Sequence, residues 1–194
     1  MAADYHKALA LIDEAHAEDP RKITVGADEV PYELHYAQKM TAYLEKRSPD
    51  ASQPLRVAIR AQHFRRWEIA RDSYPMNKQG YHAWRTSLKK RQADQAADIC
   101  SQCGMTEDET SRVAALIRKE NLKKDDETQI LEDVACLVFL DDQFEEFEKE
   151  HDEDKIISIL KKTWGKMSDE GHELALQIQM SERAKGLVAK ALAS

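Results

Sequence analysis

Residues 131–140 form an apolar segment that is interrupted by two adjacent carboxylates, Glu132 and Asp133. A segment of this composition belongs inside a folded protein, where an uncompensated charge costs several kcal/mol or more. The two carboxylates must therefore be paired, protonated or bound to a metal ion. The fold has to bring partners to this segment from elsewhere in the chain, which predicts a polar site within a buried core.

A second apolar segment, residues 55–69, carries the candidate partners. Its polar side chains include Arg60, Gln62, His63, Arg65 and Arg66. If each segment is helical, apolar residues cover nearly the whole circumference of the helix, and such helices are buried on all sides. We therefore expect two central buried helices, at residues 54–72 and 128–149.

Apolar side chains elsewhere follow the spacing of amphipathic helices. Proline, glycine and capping residues, among them Thr106 with Glu109 three positions later, divide this pattern into about eight helices. The predicted helices are residues 3–18, 32–47, 54–72, 81–102, 106–119, 128–149, 152–166 and 168–193. Residues 19–31 are predicted to be a loop, and no segment alternates apolar and polar residues as a half-buried strand does. The sequence predicts an all-α bundle, a single helical domain over residues 1–194.

The sequence argues against a membrane or secreted protein. The longest apolar runs are shorter than the roughly 18 residues that a membrane span requires. The first residues lack a basic flank followed by an apolar core, so we expect a cytoplasmic protein with no membrane contact and no obligate protein partner. The cysteines Cys100, Cys103 and Cys136 offer neither an even disulfide framework nor a second pair of zinc ligands, which favours reduced thiols.

Charge is unevenly distributed along the chain. Residues 56–91 carry ten basic side chains against two acidic ones, whereas residues 125–154 carry fourteen acidic side chains and one lysine. Basic side chains neutralise phosphates and aromatic rings stack on bases, so the basic segment is a candidate binding surface for both. The candidate substrate-binding residues are Arg60, Arg65, Arg66, Tyr81, Trp84, Arg85, Lys89 and Lys90.

The net charge of −7 limits the choice of ligand. An acidic protein is poorly suited to coat a long nucleic acid, so we expect a phosphorylated small molecule, a nucleotide or the end of an RNA. Two alternatives remain. The basic side chains could cover helices and pair with the acidic segment, or the acidic residues 141–154 could be a contact surface for another protein.

Four side chains from three predicted helices are candidates for chemistry. On the second helix, Glu33 shares the apolar stripe and faces inward, whereas His35 faces outward. Carboxylate and imidazole ligands suit a divalent ion such as Mg, Mn, Fe or Zn. The candidate metal ligands are Glu33, His63, Glu132 and Asp133, and the last three are also candidate catalytic acids and bases. The alternative is a closed network in which Arg60, Arg65 or Arg66 pairs with the carboxylates and fixes helix packing.

The order of three motifs resembles the HD superfamily of metal-dependent phosphohydrolases. They are His35-x-x-x-Lys39-Met, Leu55-x-x-Ala58-x-x-x-Gln62-His63 and Leu131-Glu-Asp-Val-Ala-Cys136. The resemblance implies an HD-like arrangement in which a histidine, a His-Asp doublet and a late aspartate hold one or two metal ions. Here Phe64 follows His63 in place of the doublet aspartate. The resemblance therefore implies a degenerate site, or one in which Glu33 supplies a ligand.

Longer strings, at residues 61–68, 71–76, 84–90, 131–139 and 162–168, are similar to a helical family with a domain of unknown function, number 4202. Some members carry a glutamyl-tRNA synthetase label, and Lys-Met-Ser at residues 166–168 echoes part of a synthetase loop. That activity requires a nucleotide-binding sheet, which this sequence does not predict. Ser168 is predicted instead to cap the last helix.

Together these features favour a metal-assisted phosphohydrolase or phosphoesterase that acts on a nucleotide or on an RNA-end phosphate. In this hypothesis the carboxylates and His63 hold the ion or activate water, and the basic side chains neutralise phosphate oxygens. The alternative is a nucleotide- or tRNA-binding module without chemistry. It would use the same basic and aromatic side chains and would not need Glu132 or Asp133.

Overall fold

The computed structural model describes residues 4–122 and 124–193, and this part of the chain is mostly helical. The observed architecture confirms the predicted all-α class. The helices are α1 (Tyr5–Ala17), α2 (Tyr32–Arg47), α3 (Gln53–Arg60), α4 (Lys78–Gln102), α5 (Glu107–Arg118), α6 (Asp126–Val138), α7 (Phe144–Lys149), α8 (Glu153–Trp164), α9 (Asp169–Ala175) and α10 (Glu182–Ala193).

Local capping sets where many of these helices begin. A polar side chain just before the helix accepts a backbone N–H of the first turn, which would otherwise lack a partner. Thr106 and Glu109 form the predicted capping box at the start of α5, and Ser168 caps α9 as predicted. Further side-chain caps are Asp4, Ser52, Asn77, Asp125 and Asp152.

One hydrophobic core joins the helices, and α3 and α6 lie in it as predicted, whereas residues 65–73 after α3 contribute no buried side chain. The side chains of α3 and α6 supply fully buried residues, including Leu55, Ile59, Leu131 and Leu137. Each such side chain contributes about 1.5–3 kcal/mol through its removal from water. The charged and polar residues of the same two segments are consequently carried deep into the molecule.

The prediction of a loop at residues 19–31 was wrong, because a short antiparallel hairpin lies there. Strand β1 (Lys22–Val25) pairs with β2 (Asp28–Pro31). Gly26 has a φ of 65° and occupies the first turn position, where a two-residue hairpin favours glycine. The strands are short and mostly exposed, so they lack the apolar alternation that identifies a strand in sequence.

The third helix was predicted to reach residue 72, but α3 ends at Arg60. His63 and Arg65 adopt left-handed backbone conformations with φ of 62° and 48°, and two 3₁₀ turns follow at Arg66–Glu68 and Arg71–Ser73. Because the helix stops, backbone groups at and after its end lose their helical hydrogen bonds, and side chains from other helices satisfy them. His16 Nε2 donates to the Arg60 carbonyl over 2.8 Å, and Glu33 accepts the Arg66 N–H over 2.9 Å.

The predicted helix at residues 128–149 is interrupted by a π-helical turn at Phe139–Gln143, between α6 and α7. Two consecutive carboxylates of this turn reach back to α2. Asp141 pairs with Lys39 over 2.8 Å, and Asp142 pairs with His35 over 2.7 Å. His35 is therefore half-buried in a hydrogen bond with a carboxylate, whereas the sequence predicted that it faces solvent.

The last predicted helix, residues 168–193, is divided into α9 and α10. Ser181 accepts the Ala184 N–H and begins a new helix after a turn. The described cysteines are all buried, free thiols. Within residues 4–122 and 124–193, no helix has the length and apolar character needed to cross a membrane.

Two glycines allow a matched test of this packing. A Cβ at Gly80 would lie 1.9 Å from the Pro75 carbonyl oxygen, whereas a Cβ at Gly186 would meet nothing within 4 Å. We expect Gly80→Ala to lower the free energy of unfolding by about 1–3 kcal/mol through overpacking. Gly186→Ala should raise it by about 0.5–1 kcal/mol because alanine restricts the unfolded chain. Urea denaturation measures both, and equal effects would contradict the packing at Pro75.

Candidate functional site

A cleft of about 440 Å³ opens between α4, α6 and the turn that follows α3. The C-terminal end of α8 and the loop after it close the remaining side. We call this the basic cleft. Its charged and polar lining residues are Tyr36, Gln62, His63, Arg66, Tyr81, Arg85, Lys89, Gln92, Lys119, Glu132, Gln143, Thr163 and Lys166. The volume lies within the range of small-molecule sites.

The basic cleft carries an excess of positive charge. The described residues that line it include five lysines and arginines but one carboxylate, Glu132. Lys119 forms an ion pair with Glu132, and Lys166 Nζ lies 3.4 Å from Glu132 Oε1. Burial raises the pKa of Glu132, but these two lysines outweigh burial and hold the pKa below its ordinary value. Glu132 is therefore ionised and compensates the two lysines.

The other three cations, Arg66, Arg85 and Lys89, form no ion pair with a carboxylate in the part of the chain that the structure describes. Burial lowers the pKa of Arg66, and the charge of Arg85 lowers it further. The pKa of Lys89 is lowered by burial and by the nearby Lys119 and Arg85. Burial is the larger cause of both shifts, and repulsion between the positive charges of the cleft adds to it.

His63 lies at one edge of this charge cluster. Its ring stacks on Tyr36 with 4.2 Å between centroids, and Nε2 accepts a hydrogen bond from the Arg66 guanidinium over 3.0 Å. Burial lowers the pKa of His63 well below its ordinary value, and Arg66 and Arg85 lower it further. Because arginine can only donate, His63 is neutral and carries its proton on Nδ1.

Gln92 supplies a polar group without a partner. Its side chain is 7% exposed, lines the basic cleft from α4, and its Nε2 has no hydrogen-bond partner among the described residues. A buried donor left unsatisfied costs about 1–3 kcal/mol. This donor is shielded from solvent, so an acceptor in the cleft would reach it only after the amide group turns.

A second cleft of about 400 Å³ lies beside the first, and we call it the aromatic cleft. His63, Arg66 and Gln143 line both clefts and form the partition between them. The guanidinium of Arg66 lies 4.7 Å from the centre of the Trp84 ring. The other lining residues are Asp19, Arg21, Tyr32, Glu33, Trp67, Ile69, Ala70, Arg71 and Trp84.

The structure does not bring the four predicted metal ligands together. Glu33 lies in the aromatic cleft, where it accepts the Arg66 N–H and approaches His16 Nδ1 at 3.3 Å. His63 and Glu132 line the basic cleft, and Asp133 is buried elsewhere. Residues 4–122 and 124–193 contain no group of three or more histidines, cysteines or carboxylates that could hold a metal ion.

Asp133 is fully buried at the centre of a hydrogen-bond network. It accepts hydrogen bonds from the Ser168 N–H and hydroxyl, over 2.8 and 2.6 Å, and from Gln129 Nε2 over 2.9 Å. Arg47 Nε donates to it over 2.9 Å. Gln129 Nε2 also donates to the Lys166 carbonyl over 2.8 Å, so the network holds the loop from which Lys166 reaches the basic cleft.

The predicted network of carboxylates and arginines exists, but its predicted partners were wrong. Arg60, Arg65 and Arg66 do not pair with Glu132 or Asp133 in the described structure. Arg60 pairs with Asp13 of α1, and Arg65 pairs with Glu18 and Glu68. The reason is that Arg60 faces α1 and Arg65 reaches the end of that helix, so neither guanidinium approaches the carboxylates of α6.

The predicted substrate-binding residues divide into two groups. Arg66, Tyr81, Arg85 and Lys89 line the basic cleft, and Trp84 lines the aromatic cleft. Arg60 and Arg65 lie in ion pairs outside both clefts, and Lys90 is exposed outside both.

Sequence reasoning missed Lys119, Lys166 and Gln92 as cleft residues. Lys119 ends α5 in a left-handed conformation with a φ of 57°, and Lys166 lies in a loop. Their approach to Glu132 depends on how α5 and α9 pack against α6, and no local spacing reports it. Gln92 could have been noticed in the sequence, because it places a polar amide side chain at a buried position of α4.

Comparison with known proteins returns one family. The family model described as a domain of unknown function, DUF4202, matches residues 6–188, which is nearly the whole chain. No curated protein and no solved structure matches the chain. Because the family description carries no activity, function has to be argued from the side chains of the two clefts.

The Asp133 network predicts a large effect on stability. We expect Asp133→Asn to lower the free energy of unfolding by about 3–5 kcal/mol, because the substitution leaves Arg47 without its buried charge partner and places an amide donor against other donors. Asp126→Asn, in the exposed first turn of the same helix, is the matched control and should cost less than about 1 kcal/mol. Urea denaturation measures both, and a mild effect of Asp133→Asn would contradict the central role of this carboxylate.

Proposed function

Since its match to DUF4202 covers most of its length, the chain belongs to that family, and we propose that it binds the phosphate groups of a phosphorylated small molecule in the basic cleft. The observation that carries this proposal is the set of three half-buried cations, Arg66, Arg85 and Lys89, that face one cleft without carboxylate partners among the described residues. A negatively charged ligand is the partner that such a set lacks.

The energetics support this proposal. Burial of these cations and, secondarily, their mutual repulsion make their charged forms unfavourable in the free protein, and both effects lower the pKa values of Arg66 and Lys89. If these three cations served only to pack the helices, neutral side chains in their place would make the folded protein more stable. Phosphate oxygens would form charge-assisted hydrogen bonds with these cations. Binding would thus relieve a strain that the free protein carries.

The size and surroundings of the cleft favour a small ligand. A volume of about 440 Å³ suits a metabolite, and the net charge of −7 repels an extended polyanion away from the cleft. The cytoplasmic location that the sequence predicts is compatible with such a ligand and stays a prediction. Binding of an RNA end, which the sequence also predicts, would place its terminal phosphate in the same cleft.

Neighbouring basic residues of α4 provide a matched test with inorganic tripolyphosphate as the probe. We expect Arg85→Gln to weaken binding at least about ten-fold, because a charge-assisted hydrogen bond contributes roughly 1.5–3 kcal/mol. Lys90→Gln removes an equal charge from the exposed side of the helix and should leave the affinity nearly unchanged. Isothermal titration calorimetry measures both, and the affinity of the unchanged protein should fall steeply with salt.

Melting temperature provides an independent readout of the same variants. Arg85→Gln relieves repulsion with Arg66 and Lys89, so the melting temperature of the ligand-free protein should stay the same or rise. A structural role for Arg85 would give a lower melting temperature. No binding of tripolyphosphate to the unchanged protein, or equal losses in both variants, would overturn the proposal.

A second candidate function is hydrolysis of the bound phosphoester, favoured by the location of His63 and Glu132 on the same cleft. Water would be the second substrate, and one of these two groups would take its proton. Binding ranks first because both acceptors are already engaged, His63 Nε2 by Arg66 and Glu132 by two lysines. The metal ion and the HD-like arrangement stay predictions. Glu33 and Asp133 lie apart from His63 and Glu132, so the four predicted ligands do not fit one shared ion.

Glu132→Gln separates the two functions. In a binding module this variant frees Lys119 and Lys166 and removes a negative charge, so tripolyphosphate should bind several-fold tighter. In a hydrolase, release of inorganic phosphate from nucleotides, measured with and without added Mn²⁺, should be present in the unchanged protein, and it should be lost in the variant if Glu132 is the base. Tighter binding without turnover in either protein would reject hydrolysis.

A further inference from the structure

The basic cleft and the aromatic cleft are two halves of one concave surface. Three side chains, His63, Arg66 and Gln143, line both, so a ligand that crosses this partition would contact the two clefts at once. Arg66 illustrates the connection, because its guanidinium is among the cations of the basic cleft and also covers the Trp84 ring of the aromatic cleft. A ligand with one anionic part and one planar part would fit both.

The aromatic cleft has surfaces on which a planar ring can stack. Trp67 lines it half-buried, and within the described residues its ring contacts no other ring or cation that would occupy its face. Arg21 lies over Tyr32 with 3.9 Å between the guanidinium carbon and the ring centre. Tryptophan, tyrosine and arginine planes of this kind stack on nucleobases.

The charge of the basic cleft indicates more than one phosphate. The described lining residues carry five positive charges and one negative charge, a net charge of +4 when His63 is neutral. A phosphate monoester contributes about −1.5 to −2 at neutral pH, which would balance roughly half of that charge. A chain of two or more phosphates would balance it more fully.

Backbone irregularities are concentrated at the partition between the two clefts. His63 has a left-handed backbone although it is not glycine, and Gln143 belongs to the π-helical turn. Arg65, also left-handed, precedes Arg66. Such conformations are unfavourable and persist where the surrounding structure holds them, often at ligand sites. Here they orient the side chains that a ligand crossing between the clefts would contact.

On the basis of the proposed function, we infer that the ligand is a nucleoside polyphosphate. Its phosphate chain lies in the basic cleft, and its base stacks on Trp67 in the aromatic cleft. Arg66 contacts both parts from the partition. The ligand class follows from the adjacency of a cleft with a net charge of +4 and a cleft lined by a tryptophan that no other ring or cation of the described residues covers.

The test compares ligands that contain one part or both. Calorimetry is performed on the full chain with tripolyphosphate, with adenosine, guanosine, cytidine and uridine, and with their triphosphates. At least one triphosphate should bind about ten-fold or more tightly than tripolyphosphate, the order that stacking of one base contributes. Trp67→Leu should reduce the affinity of that triphosphate to the level of tripolyphosphate. The affinity of tripolyphosphate itself should not change, which also shows that the variant is folded.

Tyr5→Leu is the matched control, because Tyr5 is a half-buried aromatic residue on α1 that lines neither cleft. It should leave both affinities unchanged. If every triphosphate binds no more tightly than tripolyphosphate, or if Trp67→Leu weakens both ligands equally, the inference is overturned while the proposed phosphate site stands. If tripolyphosphate does not bind at all, the proposed function fails as well. A 5′-phosphorylated oligoribonucleotide that binds ten-fold more tightly than any triphosphate would also overturn the small-ligand inference.

Discussion

The buried Asp133 carboxylate connects the core of the protein to its candidate site. It accepts hydrogen bonds from Arg47, Gln129 and Ser168, which belong to α2, α6 and the loop before α9. A fully buried charge is tolerated because these donors replace the water that it lost. The same network fixes the loop that carries Lys166 to the basic cleft. The adjacent Glu132 points into that cleft, since neighbouring residues of a helix are separated by about 100°.

The basic cleft is organised differently from this closed network. Asp133 has its partners within the protein, whereas Arg66, Arg85 and Lys89 face one another and lack carboxylate partners in the described structure. The first arrangement stabilises the fold, and the second reduces stability in the free state. A destabilising cluster that opens onto a cleft and includes an unsatisfied amide on Gln92 is typical of a binding site. Phosphate ligands and, across the partition, a stacking base would complete it.

Several parts of this arrangement could be predicted from local sequence. Thr106 and Ser168 were recognised as caps because capping depends on residues within one turn. His63 and Glu132 were placed near one site because both interrupt apolar segments that had to be buried. The end of α3 could not be predicted, because it depends on His16 and Glu33, which contact it from α1 and α2. For the same reason the pairing of His35 with Asp142 was missed.

The sequence by itself determined the helical class, the two buried segments and the presence of charge within them. Apolar periodicity and composition act over a few residues, so they can be read without a fold. Only the tertiary structure decided which buried charges have partners in the protein and which face a cleft. Helix packing places Lys166 beside Glu132, together with Lys119, which lies thirteen positions before Glu132 along the chain. It places Arg47 beside Asp133. Such pairing is set by helix packing, because a charge interacts with whatever lies within a few ångströms regardless of its distance along the chain.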